Sequence, residues 1–318
     1  MALAVAVPVS AGFGVVLQVF RSPGVVGLKG ASGVAVSPEG GYVYVAARKD
    51  SALTFFRRDA TAERLAFAGV IKDGVDGAFG LGGAIQVAAS PDLQHVYVAG
   101  SRDDSLVVLR RDASRDTLSF ADVKQNGVGG VYGLRGAADL VVSPDARHVA
   151  VVGRKDDALA LFRRHPGTDI LSPVDLEMGG FGLAGPTAVT MDPTGLFTYV
   201  AAFKDDAISY FRRDASVDSL SFAGVVADGM AGVDGLRGAA DIAISPDGLH
   251  AYVASLVDGT LTVFDRRRST GALTELQQLK GTFGDVALAG ARDVQVSPDG
   301  AAVVVVAGKG LVSFERGA

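Results

Sequence analysis

Residues Gly238–Arg267 read GAADIAISPDGLHAYVASLVDGTLTVFDRR, and this pattern occurs six times along the chain. Each copy is marked by a proline that follows a serine or an aspartate. The six prolines are Pro38, Pro91, Pro144, Pro193, Pro246 and Pro298. Successive prolines lie 53, 53, 49, 53 and 52 residues apart. An internal period of this length indicates a repeat architecture.

One copy of the repeat predicts four short strands. Residues 239–244 form an apolar first strand, and a Pro-Asp-Gly turn follows at 246–248. The second strand, HAYVAS, leads through the hairpin residues 257–259 to the third, TLTVFDRR, which is rich in β-branched and aromatic residues. ALTELQQL is the fourth, and no segment shows a sustained helical period. Six such units predict an all-β fold, a six-bladed β-propeller with four antiparallel strands per blade.

The two chain ends predict how the ring closes. The last repeat stops after its third strand, whereas Phe13–Phe20 (FGVVLQVF) is an additional strand before the first repeat. We expect this N-terminal strand to pair with the C-terminal blade, because that pairing removes open sheet edges. The chain is then a single domain, 1–318, whose blades lie near 31–70, 84–123, 137–177, 186–225, 239–280 and 291–318 plus 13–20.

Composition limits the classes of partner. The net charge of −5 gives no general attraction to nucleic acid, and acidic residues alternate with the arginines that a basic ring would need. No apolar run is long enough for a membrane span. The chain contains no cysteine, which excludes disulfides, a thiol nucleophile and cysteine-ligated metal. We expect a monomer.

The turn and strand residues resemble a known repeat. Ser245-Pro246-Asp247-Gly248 followed by Tyr252-Val253, and residues 37–40 followed by 44–45, are similar to the YVTN-type repeat of lactonase-like β-propellers. The resemblance covers almost the whole chain and implies the propeller fold. It also implies kinship with 6-phosphogluconolactonase-like and muconate-cycloisomerase-like enzymes, most of which have seven blades, and with bacterial extracytoplasmic proteins. Six repeats depart from that pattern, and no catalytic residue of those enzymes transfers motif by motif.

Positions that stay constant around the ring are predicted to build the blades. His95, His148 and His250 follow the proline turns, where exposed turn positions are expected. The aspartates of the second hairpin, such as Asp156 and Asp157, are expected to cap their own turns. The arginines after the third-strand phenylalanine are expected to pair with the aspartate that follows them at the rim.

Positions that vary between blades are candidates for a ligand site. At the start of the first strand, one aligned position carries Gly33, Gln86, Asp139, Ala188, Asp241 and Asp293. Positions beside it supply the cations Lys29, Arg135, Arg237 and Arg292. In a propeller these positions border the mouth of the central channel. Three carboxylates, an amide and several cations are therefore predicted to converge there.

The loop before each first strand adds a variable side chain. The pattern Gly-x-x-Gly-Leu recurs there, and its third position changes from blade to blade. Its occupants are Val26, Phe79, Tyr132, Phe181 and Asp234. Fixed glycines around a changing side chain suggest a pocket lining, with Phe79, Tyr132 and Phe181 as an apolar wall. The loop before Pro186 is the shortest, which opens one side of the ring.

The predicted function is a lactonase-like enzyme, a hydrolase or isomerase, acting on a small anionic or lactone-like substrate at the channel mouth. One of Asp139, Asp241 and Asp293 is the base, and arginines bind a carboxylate or a developing oxyanion. The structural alternative is that Asp139 with Arg135, and Asp241 with Arg237, form ion pairs that tie loops to strands. A different class is a non-catalytic binding or scaffold propeller for a protein or glycan partner, or one module of a larger extracytoplasmic protein.

The sequence predicts a small-molecule ligand and no organic cofactor. A metal-dependent variant of the enzyme would hold Ca²⁺ with the three aspartates and Gln86, because calcium prefers oxygen ligands. The arginines nearby argue against that variant. The resemblance favours an extracytoplasmic location.

Overall fold

The computed structural model describes residues 3–4, 19–20, 24–59, 64–165, 167–180, 182–214, 216–308 and 310–316. Every helix-or-strand element in these ranges is a β-strand, and the strands form antiparallel sheets in chain order. The all-β, six-bladed propeller is thereby confirmed. Among the described residues no helix has the length and hydropathy to cross a bilayer.

Five blades have four strands each. Blade 1 comprises β3 (Ala31–Val36), β4 (Tyr42–Ala47), β5 (Ala52–Asp59) and β6 (Arg64–Lys72). Blade 2 comprises β7 (Ala84–Ala89), β8 (His95–Gly100), β9 (Ser105–Asp112) and β10 (Thr117–Gln125). Blade 3 comprises β11 (Ala137–Val142), β12 (His148–Gly153), β13 (Ala158–Arg164) and β14 (Leu171–Met178). Blade 4 comprises β15 (Pro186–Met191), β16 (Phe197–Ala202), β17 (Ala207–Asp214) and β18 (Ser219–Ala227). Blade 5 comprises β19 (Ala239–Ile244), β20 (His250–Ser255), β21 (Thr260–Arg266) and β22 (Leu273–Lys280).

Blade 6 has three strands in the described residues. They are β25 (Asp293–Val296), β26 (Ala302–Ala307) and β27 (Gly310–Glu315). Two short hairpins complete the chain, β1 (Leu3–Ala4) with β2 (Val19–Phe20), and β23 (Thr282–Phe283) with β24 (Val286–Ala287).

The predicted N-terminal closing strand is not seen in blade 6. Residues 13–18 lie outside the described residues, so their part of the prediction stays a prediction. Val19 and Phe20 pair with Leu3–Ala4. The Phe20 ring packs on Phe56 of blade 1, with ring centroids 4.5 Å apart.

Apolar clusters between neighbouring blades form the core. The second strands of blades 1 to 4 are buried at every residue, because both faces of each strand are covered. On blade 1 the face away from blade 2 is covered in part by Phe20 and Val25. Separate clusters join blades 1 and 2, 2 and 3, 3 and 4, 4 and 5, and 5 and 6. The first strands of successive blades pack against one another and therefore line the central channel.

On the lower face, where the proline turns lie, polar side chains link each blade to the next. His95 is 4% exposed; its Nε2 lies 2.8 Å from Asp169 Oδ1, and Arg164 donates to its Nδ1 at 2.7 Å. His148, 2% exposed, makes the same contacts with Asp218 and Arg213.

These contacts correct two expectations. The two histidines are buried because the next blade's arginine covers each ring. In blades 2 to 6 the second arginine of the third strand pairs with a turn carboxylate of the preceding blade instead of the aspartate that follows it. Burial and the Arg213 charge lower the pKa of His148, so this ring is neutral at pH 7.

Candidate active site in the central channel

Asp139, Asp241 and Asp293 occupy the same register on first strands of blades 3, 5 and 6, and Gln86 occupies it on blade 2. In blades 2, 3 and 5 this residue follows a register shift of the first strand, between Ala137 and Asp139 for instance. A bulge of this kind re-aims the next side chain. The bulge thus changes the direction of these polar side chains relative to the regular strand pairing.

Backbone groups of the next blade hold two of the carboxylates. Val189 N donates to Asp139 Oδ2 at 2.8 Å, and Val294 N donates to Asp241 Oδ2 at 2.8 Å. Each carboxylate also accepts the N–H of the residue that follows it, and the Gln86 side chain lowers the pKa of Asp139. Asp139 and Asp241 therefore tie neighbouring first strands together, in addition to any chemistry they perform.

The charges of the three carboxyls affect one another's pKa values. Burial raises the pKa of Asp139 to about 6, and the Asp293 charge contributes. Burial, followed by the charges of Asp293 and Asp139, raises the pKa of Asp241 well above its usual value. Asp293 is open to the channel, yet the protein around it still desolvates its carboxyl and raises its pKa. The Asp241 side chain bonds to Asp293 and favours its ionised form, which makes Asp241 the proton donor of the pair.

The arginines do not form the predicted pairs with these carboxylates. Arg135 Nη1 lies 3.7 Å from Asp156, and Arg237 Nη1 lies 3.9 Å from Asp258, in both cases on the upper face where the second hairpins lie. Asp156 and Asp258 also accept the backbone N–H of these arginines, which fixes them above the channel. The structural alternative is therefore wrong in its named pairs.

Lys29 and Arg292 are the two remaining predicted cations. Lys29 is exposed, and its backbone N–H donates to Asp50 at 2.8 Å. Arg292 is exposed, and its charge lowers the pKa of Asp293. Of the four predicted cations, Arg292 is thus the one with an electrostatic contact to the trio.

The predicted apolar wall lies elsewhere. Phe79 is 60% exposed and packs edge-on against Phe120 of β10, the outer strand of blade 2, with ring centroids 6.5 Å apart. Tyr132 is also exposed, and the loop that carries it lies beside β13 and β14. The backbone N–H of Asp234 donates to Glu275 of β22. These loop side chains cover the outer strands instead of the channel, and Phe181 lies outside the described residues.

The requirements of a cation site are met best on the upper face. Carboxylate oxygens of Asp228, Asp234 and Asp258 all lie within 4.8 Å of one another. Asp228 also caps Leu236 N, and Asp258 caps Arg237 N. In the channel, the oxygens of Asp139 and Asp241 already accept backbone N–H groups, which leaves fewer lone pairs for Ca²⁺. The sequence did not predict a role for Asp228, because no motif distinguishes this residue from other loop aspartates.

A cleft of about 540 Å³ lies between the outer strands of blades 4 and 5. Tyr210, Val226, Met230, Leu273 and Glu275 are among the residues that line it. It is remote in the fold from the first-strand carboxyls. Repeat comparison could not find it, because its lining combines strand residues of two blades with the loop 230–233 between them.

Comparisons with known proteins agree with the fold. A family described as "Lactonase, 7-bladed beta-propeller" matches residues 16–124, 87–226 and 225–311. A Lactobacillus plantarum protein is 23% identical, with a TM-score of 0.72 and coverage of 90% of this chain and 81% of that one. A periplasmic gluconolactonase of Pseudomonas aeruginosa is 19% identical, with a TM-score of 0.70 and coverage of 90% and 81%.

A Bacteroides uniformis protein that carries the assignment 6-phosphogluconolactonase is 20% identical, with a TM-score of 0.71 and coverage of 91% and 82%. At these identities the likeness concerns the fold. No curated protein matches the chain.

Proposed function

The chain belongs to the lactonase family of β-propellers, and we propose that it is a lactonase-like hydrolase acting on a small anionic or lactone-like substrate in the central channel. The observation that carries the proposal is the group of three first-strand carboxyls with raised pKa values, Asp139, Asp241 and Asp293. When the surroundings of two neighbouring carboxyls push their pKa values apart, one can act as the acid and the other as the base. The gluconolactonase among the structural neighbours supports lactones as the substrate class.

Hydrolysis needs a base for water and an acid for the leaving oxygen. Asp293, open to the channel and bonded by the Asp241 carboxyl, takes a proton from water. The water oxygen bonds to the lactone carbonyl carbon, and the ring C–O bond breaks. The Asp241 carboxyl gives its proton to the released oxygen. The proton on Asp293 then passes to Asp241 along the bond between them, and the hydroxy acid leaves.

Asp139 and Arg292 take supporting roles in this proposal. Asp139 is fixed by Val189 N, and its charge keeps the Asp241 carboxyl protonated. Arg292 is exposed beside Asp293 and attracts an anionic substrate group.

The test is acid release from a panel of sugar lactones, followed by pH-stat, with Asp293→Asn as the central variant. Loss of about 100-fold or more in kcat is expected if Asp293 is the base. Asp265→Asn, an exposed carboxylate at the end of β21, is the control and should retain activity. Asp241→Asn is less informative, because it also weakens the bond to Val294 N. Equal activity of Asp293→Asn and wild type on a hydrolysed lactone would rule out the assignment.

A second candidate function is a binding propeller for a protein or glycan. The observation that favours it is the set of exposed apolar side chains on the upper loops, Val26, Phe79, Val128, Tyr132 and Met230. A glycan array probed with wild type and with Phe79→Ser/Tyr132→Ser tests it. Binding that the double variant loses would support this function, and an empty array would count against the glycan form.

A further inference from the structure

Three polar residues at the cleft between blades 4 and 5 stand at positions that are apolar between blades 1 and 2. Tyr210, Glu275 and Asp234 occupy the places of Phe55, Phe120 and Phe79. Between blades 1 and 2 the Phe79 ring packs edge-on against Phe120, which in turn joins the apolar cluster that contains Phe55. Between blades 4 and 5 these rings are replaced, and the described residues leave a cleft of about 540 Å³.

Glu275 gives the cleft a carboxylate without a cation. Its Oε2 accepts the backbone N–H of Asp234 at 3.2 Å, and within the described ranges no lysine or arginine forms an ion pair with it. The residues that line the cleft include no lysine, arginine or histidine. Carboxylate oxygens of Asp234, Asp228 and Asp258 lie close together in the adjacent loops, and Arg237 offsets one of these charges. The potential at the cleft is therefore negative, which favours a cationic ligand.

Tyr210 adds an unpartnered hydroxyl to the wall of the cleft. The residue is 8% exposed, and its hydroxyl forms no hydrogen bond with the part of the chain that the structure describes. The ring lies over Gly224, where a Cβ would come within 2.1 Å of the hydroxyl oxygen, so the missing side chain makes room for it. Burial raises the pKa of Tyr210, which keeps the hydroxyl neutral and able to donate or accept. Because buried polar groups are normally hydrogen-bonded, a ligand with a polar group can complete this site.

The remaining walls of the cleft are apolar and well defined. They come from valines of β18, leucines of β22 and the loop 230–233. Backbone hydrogen bonds hold this loop, since Val233 N donates to Met230 O at 2.9 Å and Gly229 N donates to Val233 O at 2.8 Å. A preformed concave site of this volume, mainly apolar with a few polar groups, is typical of small-molecule binding.

We propose that the cleft between blades 4 and 5 binds a small organic cation, with an amine or ammonium nitrogen at Glu275 and an apolar body against β18 and β22. The Tyr210 hydroxyl bonds to a polar group on that body. The cleft is remote in the fold from the first-strand carboxyls, so this binding site does not depend on lactone hydrolysis in the channel.

Three indole compounds that differ in charge test the proposal. Tryptamine is a cation, tryptophol is neutral and indole-3-propionate is an anion, while the apolar body is the same in all three. The protein contains no tryptophan, so indole emission comes from the ligand alone and its anisotropy measures binding. We expect the protein to bind tryptamine at least about tenfold more tightly than tryptophol, and indole-3-propionate more weakly than either.

The central variant is Glu275→Gln, which keeps the size of the side chain and removes its charge. It should weaken tryptamine binding about tenfold and leave tryptophol binding unchanged. Glu275→Phe introduces the residue of blade 2 and should remove binding of both compounds, because the ring fills the cleft. Glu315→Gln, at an exposed glutamate at the end of β27, is the matched control and should bind tryptamine as wild type does. Equal wild-type affinities for tryptamine and tryptophol, or no saturable binding of tryptamine, overturn the proposal.

Tyr210→Phe keeps the proposal testable if Glu275→Phe does not fold. It keeps the ring, removes the hydroxyl and should weaken tryptamine binding a few-fold without lowering the melting temperature. An unchanged tryptamine affinity in Glu275→Gln would place the cation elsewhere on the protein, and the proposal fails. A dimer in sedimentation that Glu275→Gln dissociates would identify a cationic side chain of a second copy as the occupant, which also overturns it.

Discussion

Arg266 is a charged side chain that the fold keeps out of water, with 2% of its surface exposed. Its Nη2 donates to Asp192 at 2.8 Å, its Nε to the Tyr199 hydroxyl at 2.6 Å, and its Nη1 to Gly248 O at 2.9 Å. The guanidinium also lies over the Phe197 ring. Each nitrogen of this guanidinium thus donates to an acceptor, two of them on blade 4 and one in the turn of blade 5.

We expect Arg266→Met to lower the free energy of unfolding by about 3 kcal/mol. The substitution keeps much of the apolar volume but leaves the buried Asp192 carboxylate without its cation. Arg267→Met, at the exposed neighbour, should cost less than about 0.5 kcal/mol. Urea denaturation measures both. Equal losses for the two variants would contradict the buried ion pair.

Asp139 makes stability depend on pH. Its pKa is raised by burial from 3.8 to about 6, so the folded state binds its proton more tightly than the unfolded state. The contribution of this group is therefore most favourable below pH 4 and is lost as pH rises through about 6, a change of about 3 kcal/mol. The stability of Asp139→Asn relative to wild type should accordingly improve between pH 4.5 and pH 7.5.

Denaturant unfolding across that pH range checks this expectation, with Asp265→Asn, at an exposed carboxylate, as the control. Asp139→Asn also lowers the free energy of unfolding by the same amount at every pH, because its amide cannot accept both backbone N–H groups that the carboxylate accepts. A difference that stays flat with pH would show that Asp139 is already ionised at pH 4.5.

At the scale of elements, the aspartates of the second hairpin link strands that are distant in sequence. The first aspartate of each pair accepts a backbone N–H of the loop before its own first strand, as Asp205 does from Ala184 N. The second has a left-handed φ of about 50° and accepts from the next blade. Asp104, Asp157 and Asp206 bond Gly136 N, Gly185 N and Gly238 N in this way. These residues do not cap their own turns as expected.

Position 206 needs a hydrogen-bond acceptor for Gly238 N and a residue that tolerates a left-handed φ. Asp206→Ala and Asp206→Asn test these two requirements. Alanine removes the acceptor for Gly238 N and is strained at a φ of 51°, so we expect a loss of about 2–3 kcal/mol. Asparagine keeps an acceptor and tolerates the left-handed region, so its cost should stay below about 1 kcal/mol. Thermal unfolding of the two variants measures the difference, and equal costs would refute the capping role.

Elements that depend on local pattern could be predicted from the sequence, and contacts between blades could not. The proline turns, the four strands and the convergence of Asp139, Asp241 and Asp293 follow from period and register. The partners of Arg213 and His148 lie on a neighbouring blade, more than 60 residues away. A repeat comparison aligns equivalent positions but does not state which blade a side chain faces. The Arg135–Asp139 pair failed for another reason: Asp156, on the second hairpin of the same blade, holds Arg135 on the upper face.

At the scale of the whole molecule, stability in a ring of repeats comes from neighbour interfaces, so a blade with one neighbour should open more readily than a blade with two. In the part of the chain that the structure describes, blade 6 packs on blade 5 through an extensive cluster, and Leu311 on its other face is 53% exposed. Hydrogen exchange by mass spectrometry should therefore show faster exchange in β26 and β27 than in β20 and β21, the matching strands of blade 5. Equal protection of the two blades would contradict this expectation and would mean that blade 6 is covered on both faces.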